Sequence, residues 1–172
     1  MVERPRMEKP KSEYQQKILD VRRVARVMAG GRRFSFRVTV VIGNKKGKVG
    51  VGTAKGQDVT ESVEKAVRQA KKNLIQVKMK DDTIPHEIFY KFKSAKVLLK
   101  PARKGAGIIA GGAVRAVCDL AGVKNVSGKI TGRSSNMINN SLAAIGALKS
   151  LRLKNAPIKQ KTESQLPVPV SQ

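Results

Sequence analysis

Between Gly30 and Gly52 the chain alternates. Phe34, Phe36, Val38, Val40 and Ile42 fall on every second position, with Ser35, Arg37, Thr39 and Val41 between them. A period of two sends the first set to one face of an extended strand and the second set to the other. Gly43, Asn44, Lys45, Lys46 and Gly47 interrupt the pattern with turn formers, and Val49, Val51 and Thr53 resume it, which predicts a β-hairpin with a lysine-tipped loop. The resulting sheet has one apolar face to bury and a polar rim carrying Arg32, Arg33, Arg37, Lys45, Lys46 and Lys48. Upstream, Ile18, Val21, Val24 and Val27 recur every third residue, as on a helix. The valine content of Lys17 to Met28 and the Gly30-Gly31 pair that follows favour instead an edge strand paired with the hairpin, from which Arg22, Arg23 and Arg26 project.

After the hairpin, Asp58 is placed to cap a helix running through Leu74 or Ile75. Val59, Val63, Ala66, Val67, Ala70 and Leu74 keep the three-and-four spacing of one apolar face, so this helix is the expected lid of the sheet. The three strands and helix make a module of residues 17–79, near the lower size limit for a self-sufficient core. The polar stretch from Lys78 to Pro85 marks a domain boundary. Beyond it, Glu87 to Phe92, Lys96 to Leu99 and Lys124 to Thr131 read as strands. A helix with Val114, Val117, Cys118 and Ala121 follows Gly111-Gly112 and ends at Gly122. Ser135 to Leu151 is a last helix with Ile138, Leu142, Ile145 and Leu148 on one side. Residues 84–155 thus form a β-β-α-β-α domain, and the fold class is α+β. Residues 1–16 and 156–172, with their prolines and no periodicity, are expected to be flexible tails.

Charge changes the picture most. The 172 residues hold 36 Lys and Arg against 12 Asp and Glu, a formal net charge of +24. Such an excess opposes folding by self-repulsion unless a partner neutralises it, and the expected partner is nucleic acid, with an anionic membrane second. With 3% aromatic residues and no Trp the cores must be mainly aliphatic. The lone Cys118 and single His86 allow neither an internal disulfide nor a His/Cys metal cluster, so no metal or cofactor is expected. No apolar run reaches the roughly 18 to 20 residues of a membrane span, and the first residues lack a signal-peptide core, so a cytoplasmic location is expected.

Four candidate sites follow. Around the hairpin, the arginines and lysines offer phosphate contacts, with Gly30 and Gly31 letting backbone approach a ribose-phosphate chain. The second glycine-rich stretch, Lys104 to Gly112, enters a helix but has neither the G-x-x-x-x-G-K-[ST] nor the G-x-G-x-x-G order, and His86 to Asn155 contains only two carboxylates, Glu87 and Asp119. A nucleotide-dependent enzyme is therefore disfavoured. Cys118 lies in the apolar register of its helix and reads as a core residue, and His86 as an exposed loop residue, so nucleophilic catalysis is disfavoured too. Gly50 and Gly52 strip side chains from one face of the third strand, where they either admit RNA backbone closely or mark a bulge.

The segments "GGRRFSFRVTVVIGNKKGKVGVGTAKG", "AVRQAKKNLIQV" and "GAGIIAGGAVRAVCDLAGVKNV" resemble the signature segments of small-subunit ribosomal protein five, bacterial type. The resemblance covers about Ile18 to Leu151, in order and spacing. It implies an N-terminal module similar to a double-stranded-RNA-binding domain without its first helix, and a C-terminal α+β domain with a left-handed βαβ crossover. It implies a non-enzymatic protein that binds small-subunit ribosomal RNA at the junction of head and body and adjoins ribosomal proteins four and eight. Such a protein lines, with proteins three and four, the channel by which messenger RNA enters, and influences accuracy together with protein four.

On matching positions, Met28 to Arg33 would reach head RNA, and Arg22, Arg23 and Arg26 would face RNA or messenger. Gly105, Gly107 and Arg115 would lie toward protein four. Lys55, Lys104 and Arg133 complete the expected RNA contacts. Two departures stand out: Ala29 replaces a lysine common before the Gly-Gly, and "GRSSNMIN", Gly132 to Asn139, has one extra residue and Met137 in place of Pro.

Overall fold

The computed structural model describes residues 13–152, so the expected C-terminal tail and residues 1–12 of the N-terminal one lie outside the described residues. Strands β1 (Gln15–Met28), β2 (Gly31–Gly43), β3 (Lys48–Gly56) and β4 (Ile75–Gln76) form an antiparallel sheet in the order β1-β2-β3-β4. Helix α1 (Val59–Lys72) starts at Asp58, whose side chain accepts from the Val59 amide at 2.7 Å. Hydrogen bonds from the Thr60 side chain, the largest contribution, and from the Val59 amide hold the Asp58 carboxyl below its ordinary pKa. The helix stops at Asn73, short of Leu74. Ile75 and Gln76 are drawn instead into pairing with Val49 and Lys48 at the edge of the sheet.

Helix α1 covers the face made by Val38, Val40 and Ile42, packing Ala66 and Ala70 against them. It comes so close that a Cβ at Gly52 would stand 2.1 Å from the Ala66 carbonyl oxygen, and one at Gly50 2.5 Å from that of Ala70. The bare face of β3 is therefore neither an RNA approach nor a bulge: its glycines make room for a helix. The same closeness buries Ser62, whose hydroxyl donates to the Asp58 and Phe36 carbonyls, while Val59, Val63 and Val67 are only half-buried.

The opposite face is not the solvated side the alternation suggests. Val41, Val49 and Val51 are buried in a second core together with Leu99, Val114, Val117, Leu120, Val126 and Leu148 of the following domain. That domain contains β5 (Ile88–Phe92), β6 (Ala95–Pro101), β7 (Ile108–Ile109), α2 (Gly112–Ala121), β8 (Val126–Ile130) and α3 (Met137–Lys149), with the sheet ordered β5-β6-β8-β7. Only the β7–β8 pair is parallel, joined through α2. The two-residue β7 was too short to leave a pattern in the sequence.

The link between the domains is packed rather than loose: Val77 and Ile84 are buried, and the Asp82 carbonyl accepts from the amides of Lys124 and Asn125 at 3.0 Å. His86 lies in the loop two residues before β5, as expected, but is half-buried rather than exposed; its Nδ1 has no hydrogen-bond partner among the described residues. In α3 the buried side is centred on Ala143, Ala144 and Ala147 with Leu148, whereas Ile138, Leu142 and Ile145 are half-buried. Small side chains let this helix lie close to the sheet, and Gly146 is in contact distance of the Tyr90 ring. The unusual "GRSSNMIN" segment still opens the helix in an ordinary way, with Asn136 Oδ1 accepting from the Ile138 amide at 3.0 Å.

Candidate nucleic-acid interface

Strand β2 pairs with β1 along its whole length but with β3 only from Phe36 onward. The outer parts of β1 and β2 therefore leave the sheet as a two-stranded ribbon tipped by Gly30 and Gly31. Gly30 has φ 89°, a left-handed conformation that favours glycine, and nothing stands within 4 Å of a Cβ at either position. The tip is open to a partner.

The register decides which cations share a face. Arg22 lies directly opposite Arg37, and Arg26 directly opposite Arg33. Arg37 is in turn opposite Lys55 on β3. Side-chain alternation puts all five on one face of the ribbon and its root, with Arg22, Arg37 and Lys55 in a row across three strands. Like charges directly opposite each other destabilise a bare sheet, a cost that a bound anion would relieve. Among the described residues the only acid paired with these five is Asp20, which holds Arg22 at 2.7 Å with both side chains partly exposed.

The other face of the ribbon carries Arg23 and Arg32 with Val21, Val27 and Phe34. There the Arg23 guanidinium sits 3.7 Å from the centre of the Phe34 ring, and that ring remains 44% exposed. The lysine loop lies at the far end of β2, on the order of 40 Å from the glycine tip at strand rise. It is no free finger. The Lys45 amide donates to the Leu120 carbonyl at 3.0 Å and the Gly47 amide to that of Ala121 at 2.9 Å, at the C-terminus of α2. Asn44 Oδ1 ties the loop from inside by accepting from the amides of Lys46 and Lys48. The side chains of Lys45, Lys46 and Lys48 nevertheless stay exposed. The polar rim read from the sequence is thus two basic clusters, one at each end.

The second glycine-rich stretch is held by a residue that sequence reasoning missed. Asn125 is buried, and its Oδ1 accepts from the amides of Gly105 at 3.0 Å and Gly107 at 3.2 Å, both glycines having positive φ. Lys104 is exposed in this loop, and Arg115 is exposed on the first turns of α2, where its amide donates to Gly111. Arg133 is exposed in the segment leading to α3. An asparagine inside the stretch read as a strand was the one available signal, but nothing in its spacing tied it to a loop twenty residues upstream.

Cys118 is buried in α2, and burial pushes its thiol up to about 12, far from a nucleophile's range. Among the described residues no group of three or more His, Cys, Asp or Glu could hold a metal ion, and no helix is long and apolar enough to cross a membrane.

Two family profiles match the chain in sequence order: "Ribosomal protein S5, N-terminal domain" over residues 14–78 and "Ribosomal protein S5, C-terminal domain" over residues 90–161. The chain belongs to the ribosomal protein S5 family. The small ribosomal subunit protein uS5 of Thermotoga neapolitana is 48% identical over 139 residues, which span 81% of this chain and 78% of the relative. That of Thermotoga maritima matches at the same identity and coverage. That of Pseudothermotoga lettingae is 46% identical over 143 residues, spanning 83% of this chain and 80% of its own. The two S5 family domains correspond to the two sheets, and the α+β architecture expected from the resemblance is the one observed.

Proposed function

We propose that this chain is a non-enzymatic structural component of the small ribosomal subunit that binds small-subunit ribosomal RNA through its arginine ribbon. The observation that carries the proposal is the opposed pairs Arg22/Arg37 and Arg26/Arg33, extended by Lys55, with Asp20 as their one acidic partner among the described residues. Phosphates are the counter-charge such a face lacks, and arginine forks bind them bidentately. The open Gly30-Gly31 tip lets the ribbon enter a crowded RNA surface. Family membership and the small-subunit designation of the relatives support the same reading.

Within that role the ribbon reaches the RNA at the junction of head and body, its base faces the incoming messenger, and the Gly105 to Arg115 surface adjoins ribosomal protein four, with proteins eight and three as further neighbours. Asn125 supports this last element by holding the glycine loop in one shape beside the exposed Arg115. A contact that must shift as the subunit closes on a codon biases a two-state equilibrium, and its strength then sets accuracy. The test is sedimentation of the tagged chain with small subunits after a high-salt wash. The chain is expected to stay in the small-subunit peak, and full release would contradict the proposal. In assembled subunits Arg115→Glu is expected to change the misreading rate, and an unchanged rate would contradict the accuracy role.

A further inference from the structure

The outer face of the second sheet has no part in the site described above. Helices α2 and α3 cover its inner face, where Ala95, Val97, Leu99 and Val126 are fully buried. On the outer face Phe89, Leu98 and Lys129 stand side by side across β5, β6 and β8, and the next row holds Lys91 directly opposite Lys96. Nothing among the described residues covers this surface. Phe89, one of only four phenylalanines in the chain, is 56% exposed, and Lys91, Lys96 and Lys129 are exposed without an acidic partner among those residues. The adjacent Lys100 is paired with Glu87 at 3.2 Å, so that carboxylate is already engaged.

We propose that this face is a second RNA-binding surface that takes an unpaired stretch of ribosomal RNA: a base stacked on Phe89 beside Leu98, with flanking phosphates on Lys91, Lys96 and Lys129. The argument is complementarity. Two lysines directly opposite repel unless an anion lies between them. An aromatic ring raised from a sheet among cations meets both parts of a single-stranded nucleotide, its π-face and its phosphate. A duplex, by contrast, offers phosphates but no free base face for the ring.

The inference rests on the chain binding ribosomal RNA, and the test separates the two. Binding of the full chain to small-subunit RNA is measured against salt for the unsubstituted protein, for Phe89→Leu, and for a Lys91→Gln, Lys96→Gln, Lys129→Gln variant, with thermal melts to establish that each is folded. Phe89→Leu is expected to weaken binding roughly 5- to 150-fold with the salt slope unchanged. The lysine variant is expected to flatten the slope of log K against log salt by about 2, three single-strand phosphate contacts at roughly 0.7 each. Unchanged affinity and slope in both variants would overturn the proposal while the arginine ribbon still binds. Unchanged RNA binding with loss of a neighbouring protein from assembled subunits would overturn it in favour of a protein interface. Absence of RNA binding by the unsubstituted chain would overturn both readings.

Discussion

At the scale of single residues, the structure is most exacting where side chains are missing. Gly50 and Gly52 face α1 at distances that no Cβ accommodates without moving helix backbone. Gly52→Ala is therefore expected to destabilise the fold by about 1–3 kcal/mol, the usual cost of overpacking a tight contact; denaturant unfolding measures it, and an unchanged midpoint would show that the helix yields freely. The sequence made these glycines conspicuous but not interpretable. They interrupt an apolar face equally well for RNA, for a bulge or for a helix, and only the crossing of α1 decides. Gly122 was the opposite case: its place after an apolar helical run predicted a left-handed terminator, and it has φ 89°. That reading succeeded because the cause lies within a few residues of its effect. Cys118 was legible for the same reason, from its position in a helical register.

At the scale of elements, periodicity located the helices and the β2–β3 hairpin, valine content rather than period revealed β1, the two-residue β4 and β7 left no signal, and some faces were misplaced. The alternation in β2 is real, yet both of its faces are buried toward Ile42, because Val41 and Val51 meet a domain that begins some thirty residues later. In α3 the large residues suggested the buried stripe: Leu148 is buried and Leu142 and Ile145 pack half-buried against the core, but Ala143, Ala144 and Ala147 fill its centre, since burial follows how closely a helix can approach. The loop from Arg103 to Gly107 is held by the Asn125 side chain together with backbone bonds from the Ala106 amide to Arg103 and from the Val126 amide to Gly107. Removing the acceptor in Asn125→Ala leaves the amides of exposed Gly105 and half-buried Gly107 without it, at a cost of about 0.5–1.5 kcal/mol, since water reaches them. Hydrogen exchange at these amides is expected to accelerate selectively, and unchanged protection would show that the loop is held by other means.

At the scale of the whole molecule, the two domains share one core, and the β2–β3 loop is bonded to the end of α2. The suspicion raised by the small size of the first module, that it needs company, has a physical answer in Val41, Val49 and Val51. A fragment of residues 13–79 would expose all three, and is expected to melt at a lower temperature and less cooperatively than the full chain; an equal melting temperature would show that the module stands alone. What joins the scales is charge. A chain of +24 sets two of its arginine pairs directly opposite each other on the ribbon. The most direct measurement is the salt dependence of binding to folded small-subunit RNA by the full chain and by a variant with Arg22, Arg26, Arg33 and Arg37 all changed to Gln. If the ribbon neutralises phosphates, the slope of log K against log salt falls by about 3 to 4, one contact per arginine at roughly 0.7 to 0.9 each. An unchanged slope in a folded variant would contradict the account.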